Sequence, residues 1–295
     1  MSAVSVTAGG TGMVNALRPT EAEALAAWAA LVAGDAEQVS RVREPEPTGD
    51  YYLPHAARFR VGAGPSPELP VLEALAAAGE TWMDIGAGGG RLAVPLAGIV
   101  ARVIAIEPSV AMREVLGTAI AESGRTNIEV RDARWPDPGW LDAVDVTLAA
   151  HSMYDIGDIG PFLDGMERHA RRRCVALLQP WARGTALAAL FEAVHGEPLA
   201  TLPALREFVA LIGARGRRYE VRVVPVESGP AVTPHDAAFA EARRLLWLSE
   251  GSAKDQRMRA LLEEWWGRPD GIAMPHSPPY VGVVSWEPSA APGAS

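Results

Sequence analysis

Cysteine is almost missing from this sequence. Cys174 is the only one in 295 residues, which excludes an internal disulfide framework and a zinc site built on several thiolates. It also suits a reducing cytoplasm, the expected location. Lysine is as scarce. Of 27 basic residues only Lys254 is a lysine, while Ala, Gly and Arg abound, which reads as compositional bias rather than function. Acidic residues number 36, leaving a net charge of −9. That balance argues against broad nucleic-acid binding, which needs a positive surface to replace phosphate counterions; only a local basic groove stays open. No apolar run is long enough to cross a bilayer, so no membrane partner is expected. Residues 1–12 carry no basic stretch ahead of an apolar one, so a secretory signal is not expected either.

What is present is a long alternation of strand and helix signals. The first dozen or so residues are rich in Gly, Ser, Thr and Ala, and residues 1–18 read as a disordered tail. From Thr20 a helix begins, with Glu21 and Glu23 in its first turn and Leu25, Trp28, Leu31 and Val32 at helical spacing. Two Pro/Gly breaks, around 44–49 and 62–67, divide residues 19–78 into an N-terminal helical cap. Beyond Gly79 apolar strands at 81–85, 103–106, 128–131, 144–150 and 174–178 alternate with helices at 91–97, 110–121 and 159–170, which predicts a parallel sheet covered on both faces. Helices at 185–195 and 203–213 and strands at 219–226 and 280–286 complete the order. Residues 79–227 and 280–288 thus form the core. Residues 228–279 read as an insertion of two helices, the first behind a Thr233 cap, with Leu245, Leu246, Trp247, Leu261, Leu262, Trp265 and Trp266 concentrated in them. Such an insertion serves as a lid, as the contact of a homodimer, or as plain core packing.

The chemistry starts at Asp84-Ile-Gly-Ala-Gly-Gly-Gly-Arg91, where a strand must turn into a helix. Glycines there let a ligand approach the backbone and permit positive φ, and the N–H groups and helix start favour an anionic group. A phosphate-binding P-loop needs Lys and Ser or Thr after its last glycine, and Arg91-Leu92 stand there instead. A dinucleotide fingerprint from Gly86 needs glycine at position 91, and from Gly88 at position 93; Arg91 and Ala93 exclude both.

Asp84-x-Gly86-x-Gly88-x-Gly90 resembles motif I of the class I S-adenosylmethionine-dependent methyltransferases, whose loop wraps the methionine end of the cofactor. Seventeen positions after Gly90, Glu107 closes a strand and leads through Pro108-Ser109 into a helix, which is similar to the family's second motif; a carboxylate there accepts hydrogen bonds from a ribose diol. Asp132-Ala133 ends the third strand, and His151 and Tyr154 follow the fourth. The resemblance covers about residues 79–179. It implies a Rossmann-like, doubly wound, seven-stranded, mostly parallel α/β sheet carrying the N-terminal cap and the late insertion. It also implies S-adenosyl-L-methionine as cofactor and S-adenosyl-L-homocysteine as product, held by Asp84, Gly86, Ala87, Gly88, Gly90, Glu107, Pro108, Asp132, Ala133 and His151.

Methyl transfer from a sulfonium asks the protein chiefly for proximity, alignment and exclusion of water. His151, expected to face the transferred methyl, stays open as general base, as substrate-orienting group or as packed histidine, and Tyr154 is a weaker catalytic candidate. Tyr51, Tyr52, His55 and Arg58 read as a cap over the cofactor or as structure, and Trp135 as an adenine cover or as packing. The run Arg168-His-Ala-Arg-Arg-Arg173 reads as a solvated helix end, since basic residues suit that pole of the dipole. No metal site is expected. Three functions remain at this stage: a methyltransferase acting on a small-molecule acceptor, one acting on RNA or protein, and a non-catalytic S-adenosylmethionine-binding protein. Acidic charge and the two enclosing segments favour the first.

Overall fold

The structure, a computed structural model, describes residues 18–45, 49–50, 52–53, 56–62, 64, 66–137, 139, 142–182, 184–226, 232–275 and 278–288. The expected tail at 1–17, and Tyr51 and His55 of the expected cap, lie outside them.

Helix α1 (Glu21–Val42) starts on a capping box: Glu23 N–H donates to Thr20 Oγ1 at 3.3 Å and Thr20 N–H to Glu23 Oε2 at 2.8 Å. Its apolar stripe turns Trp28 and Val32 inward, and Trp28 Nε1 donates to Ile156 O at 2.8 Å. This helix therefore lies against the loop after the fourth strand. A 3-10 turn (Ala56–Phe59) and α2 (Leu69–Leu75) lead into the sheet.

The core elements then run β1 (Thr81–Ile85), α3 (Ala93–Leu96), β2 (Arg102–Ile106), α4 (Val110–Ser123), β3 (Ile128–Arg131), β4 (Val144–Ala150), α5 (Ile159–His169), β5 (Ala170–Leu178), α6 (Ala188–His195), α7 (Leu205–Ala214) and β6 (Tyr219–Pro225). The insertion contributes α8 (His235–Leu245), α9 (Ala253–Trp266) and a small hairpin of β7 (Gly267–Arg268) and β8 (Gly271–Ile272), before β9 (Tyr280–Trp286) closes the sheet. Strand order is β3-β2-β1-β4-β5-β9-β6. The first five strands pair in parallel, and β9 runs antiparallel between β5 and β6. Sequence reading and structure agree on a seven-stranded, mostly parallel α/β sheet.

Alternation along β1 shows how the sheet is buried on both faces. Trp82 joins a cluster with Val103, Val146 and Leu148 under α2, α3 and α4, while Met83 and Ile85 join Ile104, Ile106, Phe162 and Phe208 under α1, α5 and α7. Register does the functional work. Ile85 pairs with Ile106 and with Ala149, and Ile106 pairs with Arg131. The residues that follow these partners, Gly86, Glu107, Asp132 and Ala150-His151, therefore stand in one row along the carboxyl edge of the sheet, where open α/β sheets bind ligands.

Some elements differ from the sequence expectation. The helix after the glycine turn is a single turn starting at Ala93, because the positive-φ glycines continue to Gly90. Thr233 does not cap α8; its backbone pairs with Ile272 at 2.9 and 2.8 Å, and the helix starts behind Pro234. Only the start of the arginine run is a solvated helix end: Arg168 is exposed in the last turn of α5, which stops at His169, and β5 takes Arg171, Arg172 and Arg173. Arg171 lies 3.8 Å from Asp145, Arg172 pairs with Glu80 and donates to Leu75 O at 2.9 Å, and Arg173 donates to Ser285 Oγ at 3.3 Å. In the insertion, Leu246 and Leu262 are buried and Leu245, Trp247, Leu261 and Trp266 pack around a third cluster shared with Val42, Leu190, Phe191 and Met258. Trp265 alone of the named large apolar groups stays exposed.

Candidate active site

Gly86 needs to be glycine twice over. Its φ is +75°, and a Cβ would stand 2.6 Å from Ser152 Cβ, because the ends of β1 and β4 meet there. Ser152 seals the approach by donating Oγ–H to Ile85 O at 2.8 Å. Gly88 has φ +55° and nothing within 4 Å of an added Cβ, so its face is open space. Gly90 packs on Leu116 and turns the chain into α3. Ala87 is buried between them, its N–H donating to Ile106 O at 3.1 Å.

Asp84 sits one register step below this turn and is 3% exposed. Burial pushes its carboxyl up from 3.8 to about 7; the Arg91 charge pulls it down and Glu107 adds to the rise. Its Oδ1 is buried without a hydrogen-bond partner in the structure. An orphaned buried carboxylate oxygen at a strand end calls for a donor from elsewhere. Arg91 is held off by Ser66 Oγ at 3.1 Å and by an ion pair with the buried Glu68.

Glu107 is 5% exposed, and burial raises its pKa against the pull of two amide donors. Those donors are Gly88 N–H to Oε2 and Ser109 N–H to Oε1, each at 2.8 Å. The acid thus ties the glycine turn to the start of α4, with Pro108 between. Asp132 is mostly exposed and is forked by Arg113, whose two terminal nitrogens donate to its two oxygens at 2.8 Å each. Arg113 also donates to Glu107 O at 2.8 Å, so one guanidinium spans the ends of β2 and β3. Ala133 follows Asp132 and packs at the edge of the main cluster.

His151 has φ +57°, a left-handed conformation uncommon for a side-chain-bearing residue. Its N–H still donates to Leu177 O at 3.0 Å, so it remains anchored to β5. Its Nδ1 lies 2.9 Å from Tyr154 Oη, and Tyr154 Oη accepts Gln179 N–H at 2.8 Å. The two expected catalytic side chains are therefore brought together.

The described part of the N-terminal segment also reaches this edge. Asp50 accepts Tyr52 N–H at 3.0 Å, Ala111 N–H at 3.2 Å and Ser109 Oγ–H at 2.9 Å, and these bonds lower its pKa. Phe59 O lies 2.5 Å from where a Gly89 Cβ would be, and Arg60 forms a bridge with Gly90. Arg58 pairs with Glu241 of the insertion, whose carboxyl is held at about 2 by Arg244 and Arg58. Tyr52 packs edge-on against Phe59, 5.9 Å between centroids. Trp135 is a packing residue: its Nε1 donates to Phe162 O at 3.0 Å and its ring fills the space over Gly165. Sequence reading missed Arg113. An arginine in the first turn of α4, against the dipole, was the available sign that it is paired elsewhere.

Among the described residues no helix is long and apolar enough to cross a membrane. Residues 83–178 match the family profile described as "Methyltransferase domain". A curated relative, the ubiquinone biosynthesis O-methyltransferase of Nitrobacter winogradskyi, is 32% identical over 103 residues, which is 35% of this chain and 36% of the relative. The match thus spans about a third of the relative's length. Among solved structures, the YcgJ protein of Bacillus subtilis superposes with a TM-score of 0.53 at 13% identity, covering 76% of this chain and 99% of that one. A SAM-dependent methyltransferase from Thiobacillus denitrificans, in complex with S-adenosyl-L-homocysteine, gives 0.50 at 15% identity, covering 82% and 98%. Residues 83–178 thus match the methyltransferase domain family, and the chain shares the fold of these two solved structures, one of them a SAM-dependent methyltransferase.

Proposed function

We propose that this chain is an enzyme that transfers a methyl group from S-adenosylmethionine to a small-molecule acceptor. The observation that carries the cofactor half is the buried Asp84 with its orphaned Oδ1 beside an open glycine turn and a second buried acid, Glu107. These residues fit a ligand that is cationic at one end and carries a diol in the middle. Asp84 and the turn from Gly86 through Ala87 and Gly88 to Gly90 would hold the methionine end. Glu107 with Pro108 would hold the ribose, and Asp132 with Ala133 the adenine. Bound there, the cofactor supplies a methyl already activated on a sulfonium.

The remaining work falls to the chain's own groups. Arg113 keeps Asp132 and the end of β2 in fixed relation, and Asp50, Phe59 and Arg60 bring the cap against the glycine turn and α4, which limits water at that edge. His151 and Tyr154 stand at the end of β4, beside Ser152 and hence beside the turn, and His151 would meet an acceptor there.

A small-molecule acceptor is supported by the net charge of −9, by the ion pairs that occupy Arg171 and Arg172, and by the name of the Nitrobacter relative, an O-methyltransferase of ubiquinone biosynthesis. The test is a methyl-transfer screen with radiolabelled S-adenosylmethionine against phenols, carboxylic acids, amines and bulk RNA. Label in a small acid or phenol supports the reading; label in RNA alone overturns the acceptor class.

A further inference from the structure

Tyr154 sits between a donor whose direction is fixed and a ring whose proton is not. Gln179 is pinned through both its backbone groups, its N–H given to Tyr154 Oη at 2.8 Å and its C=O accepting Leu205 N–H at 3.0 Å. A backbone N–H can only donate, so the phenol oxygen is an acceptor toward Gln179. The 2.9 Å contact to His151 Nδ1 is then made best by the phenol's own O–H, donated to the ring nitrogen. The rings lie nearly parallel, 13° apart, and the left-handed backbone of His151, held to Leu177 O, keeps the imidazole at that place.

We propose that Tyr154 is a positioning residue that sets the tautomer of His151, so that the neutral imidazole carries its proton on Nε2. His151 then meets the acceptor as a hydrogen-bond donor and not as the base that strips it. With Nδ1 accepting the Tyr154 O–H, the neutral ring's one proton is already on Nε2, which has no lone pair left to take another. The consequence for substrate class is direct: the acceptor's nucleophilic atom arrives already anionic, as in a carboxylate, an enolate or an acidic phenol, and an N–H donor selects for such an oxygen-bearing anion. This inference rests on the methyltransferase reading for its meaning, but the proton placement is a property of the chain alone.

The test reads the proton, not the turnover. Uniformly 15N-labelled protein at about pH 8.5, above the ordinary imidazole range, gives long-range 1H–15N correlations that distinguish the tautomers, with His151→Gln used to assign the signal. Wild type is expected to show a protonated Nε2 and a pyridine-like Nδ1. Tyr154→Phe, checked for folding by circular dichroism, is expected to lose that pattern to a mixture of tautomers. A wild-type His151 protonated on Nδ1, or a pattern unchanged in Tyr154→Phe, overturns the proposal. Adding S-adenosylhomocysteine to the same sample separates the two readings. Binding with an Nδ1-protonated His151 leaves the methyltransferase reading standing and removes this inference. No binding by folded protein removes the role toward an acceptor, whatever the tautomer.

Discussion

Glu107 Oε2 accepts the backbone N–H of Gly88 at 2.8 Å, so the acid at the end of β2 holds the glycine turn of β1 without any ligand. The same carboxylate takes Ser109 N–H through its other oxygen. Glu107→Ala is therefore expected to destabilise the protein by about 1–3 kcal/mol, the usual loss for charge-assisted bonds to buried amides. Glu107→Gln, which keeps one acceptor oxygen, is expected to lose less. Urea unfolding of the three proteins checks the order; equal midpoints for wild type and Glu107→Ala would remove Glu107 from the scaffold of the turn.

Asp84 gives the site a pH dependence of known sign. Its pKa in the folded protein is raised to about 7, so its contribution to stability is full below the unfolded value near 4 and is lost as pH rises through 7. At pH 8 the ligand-free protein carries a buried charge, and Asp84→Asn is expected to be more stable there, on the order of a few kcal/mol, while losing cofactor affinity. A thermal melt at pH 8 and at pH 5 measures this, with the advantage of the variant shrinking at the lower pH and vanishing only below about pH 4. The α-ammonium that both cofactor and product carry needs the ionised form. Wild-type affinity for S-adenosylhomocysteine is therefore expected to fall by up to about tenfold per pH unit below 7, with proton release visible as a buffer-dependent heat. A flat profile between pH 5 and 8 contradicts the assignment.

Two glycines of the turn should separate fold from function. Gly86→Ala places a Cβ 2.6 Å from Ser152 at positive φ and is expected to destabilise the junction of β1 and β4 severely. Gly88→Ala also has positive φ but meets nothing within 4 Å; it is expected to cost about 1–2 kcal/mol while weakening ligand binding more than that cost. If Gly88→Ala bound S-adenosylhomocysteine as wild type does, the open face of Gly88 would not be the ligand's place.

Arg113→Met releases the fork on Asp132 and the bond to Glu107 O. Affinity for S-adenosylhomocysteine is expected to fall about tenfold, the scale of one charge-assisted bond, and discrimination against the inosine analogue to narrow. An unchanged preference for the 6-amino compound would show that Asp132 does not depend on Arg113.

How far the sequence could be read follows from which interactions are local. Strands β1, β3, β4 and β9 lie at the residues expected, because each carries Val or Ile in a short run set between breaks. The row of Gly86, Glu107, Asp132 and His151 was legible too, since residues at strand ends need only the register of a parallel sheet to align. What stayed hidden depends on partners far along the chain. The arginines after His169 looked like a helix end, yet they extend a strand because Asp145, Glu80 and Ser285 stand ready to receive them. The Arg113 fork and the bond from Gln179 to Tyr154 have no local signature. Neither does the internal use of the Trp-rich insertion, whose cluster borrows Val42 and Phe191 from elements outside it.

Calorimetric titration of S-adenosylhomocysteine into wild type and Glu107→Ala at pH 8 tests the central claim most directly. One-to-one micromolar binding by wild type is expected, with a loss of at least about tenfold, one charge-assisted bond's worth, in the variant. Folded wild-type protein that gives no binding heat and no thermal shift with this ligand or with S-adenosylmethionine would contradict it.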